Sequence, residues 1–240
     1  MNMWAHDIGL KINTEKTKII HVHSSHIKNN IQIEITAQCH SCLHKIRSDC
    51  KCSKIEVVKQ HTYLGLIIDN RFTWINHIEN VCDKLRTILT KFYLVKNKIP
   101  FKILLNMYTV LAESIITYGI TSYGRTFKSY IDRILNLQIR ILKTILPQNL
   151  KSQLPDNTEI FRYCKIIPIH DKIKYSFLVE NFSKHEIINY CNNKIVTRSV
   201  ANNKLCVPRA KNFYGKRTTQ YLTPTLINEI PQNIRDSLND

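Results

Sequence analysis

The sequence predicts an α+β fold in which a small set of antiparallel strands precedes a helical bundle and an irregular C-terminal extension. Up to about residue 70, apolar and polar residues alternate with a period of two; beyond it, apolar residues recur every three or four positions. The composition is 43% hydrophobic, with only five Gly and seven Pro in 240 residues. Such a chain is long and apolar enough to bury a sizeable core.

Four short segments near the N-terminus show the alternation of half-buried strands. They comprise residues 18–23, 31–36, 53–58 and 63–68. Because one face of such a strand is polar, the four segments predict a small antiparallel sheet with polar connections rather than a buried parallel one.

The first and third of three predicted long helices have clear apolar faces. The first begins near Thr73, a plausible N-cap, and its apolar series runs from Trp74 to Phe92. The third extends from about Lys128 to Leu146 and is ended by Pro147. Short connections between the helices predict a bundle.

The second helix begins at Pro100, which suits a first helical position, and ends near Gly119. Its expected apolar face consists of Leu104, Met107, Tyr108, Leu111, Ile115 and Tyr118. Two weaker helices are expected at about 157–165 and 169–184, and the last fifty residues are expected to be mostly extended or irregular. The predicted domains are therefore 1–70, 71–150 and 151–240.

The charge balance predicts a polyanionic partner. There are 35 Lys and Arg against 18 Asp and Glu, a net charge of +17. Nucleic acid is the favoured partner, since phosphate contacts release counterions, and an anionic membrane surface is the other class. Compositional drift is the alternative, because Lys, Asn and Ile are all heavily used. With no signal-peptide pattern and no uninterrupted apolar span, we expect an intracellular protein, nuclear or cytoplasmic, that has no membrane partner.

Basic residues on the third helix suggest where nucleic acid binds. Arg133 and Arg140 are seven residues apart, and Lys143 lies one turn beyond Arg140. At helical spacing these three side chains form a basic stripe that faces away from the core. An ordinary solvated face is the alternative.

A cluster of cysteines suggests a zinc site. Cys39, Cys42, Cys50 and Cys52 have the spacing C-x2-C-x7-C-x-C. In a reducing compartment disulfides are not expected. Four thiolates, or a mixed Cys/His set that includes His40 or His44, could hold Zn²⁺ tetrahedrally on a short loop. Standard zinc knuckles have C-x2-C at both ends, so reduced cysteines on a connecting loop remain the alternative.

Two short elements in the first 70 residues resemble a known family. The first is "GLKINTEKTKIIHV", and the second opens "HTYLGLIIDN". Both are similar to the end of the palm in a non-LTR (LINE-type, jockey-like) retrotransposon reverse transcriptase. In that family the first leads into a palm strand and the second forms the primer-grip hairpin. The matching residues are Leu10, Asn13, Lys16 and Thr17 in the first element and Tyr63, Leu64, Gly65 and Asp69 in the second.

The resemblance extends along almost the whole chain. "YTVLAESIITYGITSYG" and "LQIRILKTIL" look like the family's thumb helices. The ending "PTLINEIPQNIRD" is similar to the family's usual C-terminal pattern, with Asn228, Pro231 and Arg235 at the matching positions. Five short motifs in the family's order support the likeness more strongly than any one of them.

The resemblance implies RNA-directed DNA polymerase chemistry, with an RNA template and a DNA primer as partners. It also implies a role for Tyr63, Leu64 and Gly65 in positioning the primer end, and for Lys16 near the phosphates of the incoming nucleotide. The family's two Mg²⁺ ions are held by paired carboxylates. This sequence has no two adjacent acidic residues.

We therefore expect a truncated copy whose parent enzyme binds Mg²⁺ while this chain does not, and which is inactive alone. The alternatives are a non-catalytic basic nucleic-acid-binding module, zinc-stabilised or not, and a translated relic with neither activity.

Overall fold

A computed structural model describes residues 8, 13–23, 35–37, 53–182, 204–232 and 234. The chain separates into two compact units, Met1–His77 and Ile78–Asp240, called here the strand unit and the helical unit. Strands lead and helices follow, so the α+β class is confirmed. The three-domain division stays a prediction. Among the described helices, none is both long and apolar enough to cross a membrane.

The strand unit contains two small sheets. Its five described strands are β1 (Lys18–Ile19), β2 (Ile35–Ala37), β3 (Ser53–Val57), β4 (Gln60–Tyr63) and β5 (Leu66–Asp69). In the first sheet β3 lies in the middle, antiparallel to β2 and parallel to β1. The β1–β3 pairing differs from the antiparallel expectation. The connections on either side of β2 are long enough for β3 to lie between β1 and β2 and to run parallel to β1.

The second sheet is the hairpin of β4 and β5, in which Gln60 pairs with Asp69 and Tyr63 with Leu66. Leu64 and Gly65 connect the strands with φ angles of 46° and 78°. Two successive left-handed residues make a two-residue turn whose twist matches that of the flanking strands. The segment 63–68, predicted as one strand, therefore contains a turn, and the hairpin that the resemblance implied is present.

The carboxylate of Asp69 organises the corner between β5 and the first helix. Its oxygens accept hydrogen bonds from the backbone N–H groups of Arg71 and Thr73, each at 3.0 Å, and of Trp74 at 2.7 Å. Asp69 is 8% exposed. Helix α1 then spans Ile75–Val95, and it begins two residues after Thr73, the predicted N-cap. The Asp69 carboxylate accepts hydrogen bonds from backbone N–H groups just before the helix.

The helical unit contains the rest of α1 and the remaining described helices. These are α2 (Phe101–Tyr108), a π-helical segment (Thr109–Glu113), α3 (Ser114–Thr117), α4 (Ile120–Tyr123), α5 (Lys128–Ile145), α6 (Gln148–Gln153), α7 (Asn157–Cys164), α8 (Ile169–Phe182), α9 (Phe213–Lys216) and α10 (Thr219–Glu229). All five predicted helices are thus present close to their expected bounds, the second as α2, the π-helical segment and α3 in succession.

Helix α5 lies at the centre of the helical unit and packs against α2, α7 and α8. Ile131, Ile134 and Ile141 are among its fully buried side chains. The side-chain amide of Gln138, 2% exposed, donates to the carbonyl of Ile167 at 3.2 Å and accepts from the N–H of Ile169 at 3.1 Å. This buried amide fixes the start of α8 on α5.

The π-helical segment changes which residues of the second predicted helix are buried. Leu104, Tyr108, Ala112 and Ile116 are buried at steps of four, whereas Leu111 and Tyr118, expected in the core, are exposed. In a regular α-helix each four-residue step rotates the side chain by about 40° further around the axis. The wider π turn cancels this drift, so the expected apolar face was wrong at Leu111 and Tyr118.

The C-terminal region is more helical than expected. Helix α9 is capped by Asn212, whose side-chain oxygen accepts from the N–H of Gly215 at 2.8 Å. Helix α10 packs against α8 and accommodates Pro224. The side chain of Asn228 bonds both backbone groups of Leu205, at 2.8 Å and 3.0 Å. The irregular extension predicted for this region is therefore wrong over α9 and α10.

Candidate nucleic-acid interface

Helices α1 and α5 border a groove of 390 Å³ on the helical unit. Its lining residues, the basic groove, are Leu89, Thr90, Tyr93, Arg140, Lys143 and Thr144. Arg140 and Lys143 are exposed, and Tyr93 is 64% exposed. The ammonium of Lys96 lies 4.2 Å from the centroid of the Tyr93 ring. The groove thus combines cations with an exposed aromatic ring, the groups that contact phosphates and bases.

Neighbouring depressions extend this basic surface. One of 270 Å³ shares Thr144 with the basic groove and adds Lys96 and Lys151; another of 310 Å³ shares Lys143 and also includes Lys151. Acidic residues are missing from the sequence that builds the surface. Residues 84–112 contain six Lys or Arg and no Asp or Glu, and residues 133–155 contain four and none. Arg86 and Arg133 pair with Asp83 and Glu79, which lie just outside these stretches, and the excess of the other cations favours a polyanion.

Arg133, the first residue of the predicted stripe, is separated from the other two. Its guanidinium lies 3.4 Å from a carboxylate oxygen of Glu79 and 5.6 Å from the ring centroid of Tyr130. Seven residues along a helix correspond to about 10 Å, so Arg133 and Arg140 stand two turns apart. The structure brings Arg140 and Lys143 together and gives Arg133 an acidic partner.

The turn of the β4–β5 hairpin carries two exposed apolar side chains. Tyr63 is 61% exposed and Leu64 is 72% exposed. A left-handed conformation costs a residue with a Cβ about 1–2 kcal/mol, and Leu64 adopts one beside Gly65, which accepts it freely. A strained leucine displayed on a turn is a feature typical of a binding element.

The Asn13 turn positions Lys16 at the surface of the strand unit. The side-chain oxygen of Asn13 accepts from the N–H groups of Glu15 and Lys16, each at 3.1 Å, and its carbonyl accepts from Thr17 N–H at 3.0 Å. Such a turn is the expected behaviour of Asn followed by polar residues. Lys16 is exposed and lies two residues before β1.

The predicted zinc ligands Cys39, Cys42, Cys50 and Cys52 lie outside the described residues. Within the described part, no group of three His, Cys, Asp or Glu is arranged to hold a metal ion. Cys82 and Cys164 are buried in the helical unit. Burial raises the pKa of both thiols, that of Cys164 to about 11, which disfavours the thiolate that a metal requires.

The sequence did not predict Tyr93 of the basic groove, or Lys96 and Lys151 of the neighbouring depressions. Periodicity along one helix does not show which neighbouring helix faces it. The available signal was the absence of acidic residues over 84–112 and 133–155. Two acid-free segments that pack side by side predict a basic surface that neither predicts alone.

Comparison with known proteins identified one informative similarity. The chain is 27% identical over 119 residues to the RNA-directed DNA polymerase from mobile element jockey of Drosophila melanogaster. The aligned part covers 48% of this chain and 12% of that relative. No protein-family profile matches the chain, and no solved structure matches it significantly. The similarity supports a relationship to a retrotransposon reverse transcriptase.

Proposed function

We propose that this chain acts as the palm end and thumb of a non-LTR retrotransposon reverse transcriptase, where it grips the primer and the template–primer duplex. The basic groove is the observation that carries this proposal. Arg140 and Lys143 stand beside the exposed ring of Tyr93 on a surface built from acid-free segments. In a chain similar to an RNA-directed DNA polymerase, such a groove suits the sugar-phosphate backbone of a duplex.

The β4–β5 hairpin supplies the primer grip in this proposal. Tyr63 and Leu64 present apolar surface at the turn, where Leu64 and Gly65 both adopt left-handed conformations. An exposed apolar tip can pack against a terminal nucleotide and orient its 3′-hydroxyl, which is a positioning role.

Catalysis is assigned to residues outside this sequence. Nucleotide addition requires carboxylates that hold two Mg²⁺ ions, and the nine Asp residues here are all isolated from other acidic residues in the sequence. We therefore propose that the chain is inactive alone and does not bind the catalytic Mg²⁺. Lys16 is proposed to approach the phosphates of the incoming nucleotide, where an ammonium can stabilise the leaving pyrophosphate.

Binding of a short RNA/DNA duplex tests the groove. The logarithm of affinity should fall linearly with the logarithm of salt concentration, with a slope of about 0.9 per phosphate neutralised on B-form DNA. Arg140→Gln and Lys143→Gln should each weaken binding and reduce the slope by about one. Lys174→Gln, a change of equal charge on α8 at a residue paired with Glu229, is the matched control. A salt-independent affinity, or equal losses in all three variants, would contradict the proposal.

Primer extension tests the absence of catalysis. The purified chain is mixed with an annealed primer and template, deoxynucleotides and Mg²⁺. No extension is expected, because the sequence lacks the paired carboxylates. Extension that persists in the purified chain, and follows its elution profile, would overturn this part of the proposal.

The second candidate function is a non-catalytic nucleic-acid-binding module stabilised by zinc. The spacing of Cys39, Cys42, Cys50 and Cys52 favours it. Purified protein should then contain zinc in near-equimolar amount, and Cys50→Ser should lose it. Equal metal content in the two proteins would eliminate the zinc site.

A further inference from the structure

A second surface of the helical unit combines aromatic rings with an arginine. The rings of Phe127 and Phe213 are stacked, with centroids 4.4 Å apart and planes 4° from parallel. Tyr130 meets Phe127 edge-on at 5.6 Å, and Tyr214 meets Phe213 edge-on at 6.3 Å. The guanidinium of Arg217 lies 5.2 Å from the Phe213 centroid and 5.8 Å from that of Tyr214. We call these five residues the aromatic platform.

The platform is more exposed than a purely structural contact requires. Phe127, Phe213 and Tyr214 are 37%, 40% and 44% exposed. Rings that serve only to attach α9 to the start of α5 would gain most by being fully covered, since buried apolar area sets the free energy gained. Instead three large rings remain accessible on one surface.

The charges around the platform are complementary to a polyanion. Residues 204–228 contain five Lys or Arg and no Asp or Glu. Lys211, two residues before α9, and Lys216, the last residue of α9, are exposed, as is Lys128 beside Phe127. Cations interleaved with accessible rings are the pattern by which proteins bind the backbone and stack the bases of a single strand.

We propose that the aromatic platform binds single-stranded nucleic acid, with bases stacked on Tyr214 and the Phe213 edge and phosphates held by the neighbouring lysines. A paired duplex does not present its base faces, so the rings favour an unpaired segment. The platform is distinct from the basic groove. Phe127, just before α5, and Arg140 are 13 residues apart, which corresponds to about 20 Å along the helix axis. The proposal does not depend on the polymerase assignment.

The experiment measures binding of the full chain to three probes by fluorescence anisotropy: a short oligouridine, an abasic oligonucleotide of equal length, and a duplex. The abasic probe keeps the phosphates and removes the bases. Stacking predicts that wild-type protein binds oligouridine about fivefold or more tightly than the abasic probe. Equal affinity for the two would overturn the proposal without any variant.

Variants then locate the stacking site. Tyr214→Ala should weaken oligouridine binding by about 5- to 100-fold and leave abasic binding unchanged. Tyr175→Ala, at a tyrosine 58% exposed on α8, is the matched control and should change neither. If Tyr214→Ala does not fold, Tyr214→Leu replaces it, because leucine keeps an apolar side chain but has no ring on which a base can stack. The same selective loss of oligouridine binding is expected. Unchanged oligouridine affinity in a folded Tyr214 variant would place stacking elsewhere and overturn the assignment.

The same measurements separate this inference from the proposed function. Arg140→Gln should weaken duplex binding and spare oligouridine binding, while Tyr214→Ala should do the reverse. Loss of both ligands in both variants would mean one shared surface and would contradict the two-surface proposal. If only the duplex measurements fail, the proposed thumb role is contradicted, and the proposal that the aromatic platform binds single strands is unaffected.

Discussion

In the described part of the strand unit three side chains are buried, and two of them, Asp69 and His77, are polar. In the helical unit the fully buried side chains are overwhelmingly apolar, from Ile78 to Phe177. The strand unit also contains three of the four non-glycine residues with positive φ in the described chain, at Leu64, Phe72 and Trp74. Hydrogen bonds and strained turns therefore shape the described residues of the strand unit, whereas packing shapes those of the helical unit.

This difference determines what each unit can do. A packed bundle resists local change, so it can hold cations and rings at fixed positions on its outside. A region with few buried apolar side chains, such as residues 53–77 of the strand unit, opens more easily, which is typical of elements that adjust to a ligand. The basic groove and the aromatic platform belong to the first kind, and the hairpin tip belongs to the second.

The largest effect is expected from a cavity in the bundle. Ile134→Ala removes a fully buried side chain at the centre of α5 and should lower the free energy of unfolding by about 2–5 kcal/mol. Leu94→Ala, at a leucine 68% exposed on α1, should change it by less than about 0.5 kcal/mol. Urea denaturation followed by circular dichroism measures both. Equal losses would show that packing does not dominate this unit.

Next in size is the loss of the Asp69 carboxylate. Asp69→Asn keeps the shape but replaces a charged acceptor of three N–H groups, so we expect a loss of about 1–3 kcal/mol confined to the strand unit. Hydrogen exchange should quicken at Trp74 while the amides of α5 stay protected. Asp83→Asn, at an exposed carboxylate paired with Arg86, is the control. Faster exchange throughout α5 would mean that the units do not open separately.

A smaller change of opposite sign is expected at the hairpin turn. Leu64→Asn replaces a strained leucine by a residue that tolerates the left-handed region and creates an Asn-Gly turn, so the hairpin should gain about 1 kcal/mol. Primer-template binding should nevertheless weaken, because the exposed apolar tip is lost. Thermal unfolding and duplex affinity measured on the same variant decide this. A gain in both would remove the hairpin from the binding surface.

The smallest effect is expected from an exposed ion pair. Glu79→Gln removes the partner of Arg133, and both side chains are about half exposed. Surface pairs of this kind contribute about 0.2–1 kcal/mol, and salt screens them. The change in unfolding midpoint should therefore disappear in high salt. A persistent large loss would mean that Arg133 has a role in packing.

The sequence predicted the long helices well because their apolar spacing is strong and their ends are marked, as at Pro100 and Pro147. It predicted the basic pair Arg140 and Lys143 but not Tyr93, which comes from another helix. It mistook 63–68 for one strand, since the turn at Leu64 uses a leucine where Asn or Asp is usual. Helix α10 was missed because Pro224 and several Thr lower its local propensity, and packing against α8 overrides that.

The π-helical segment has a consequence for comparing this chain with its relatives. A π-helical turn contains one residue more than the α-helical turns on either side of it. A related chain can lack that residue and still direct the same side chains into the core. Gaps in alignments, normally confined to loops, should therefore be allowed within Thr109–Glu113. Alignments that forbid a gap there would shift Ile116 and every residue after it by one place, and would match a core position with a surface one.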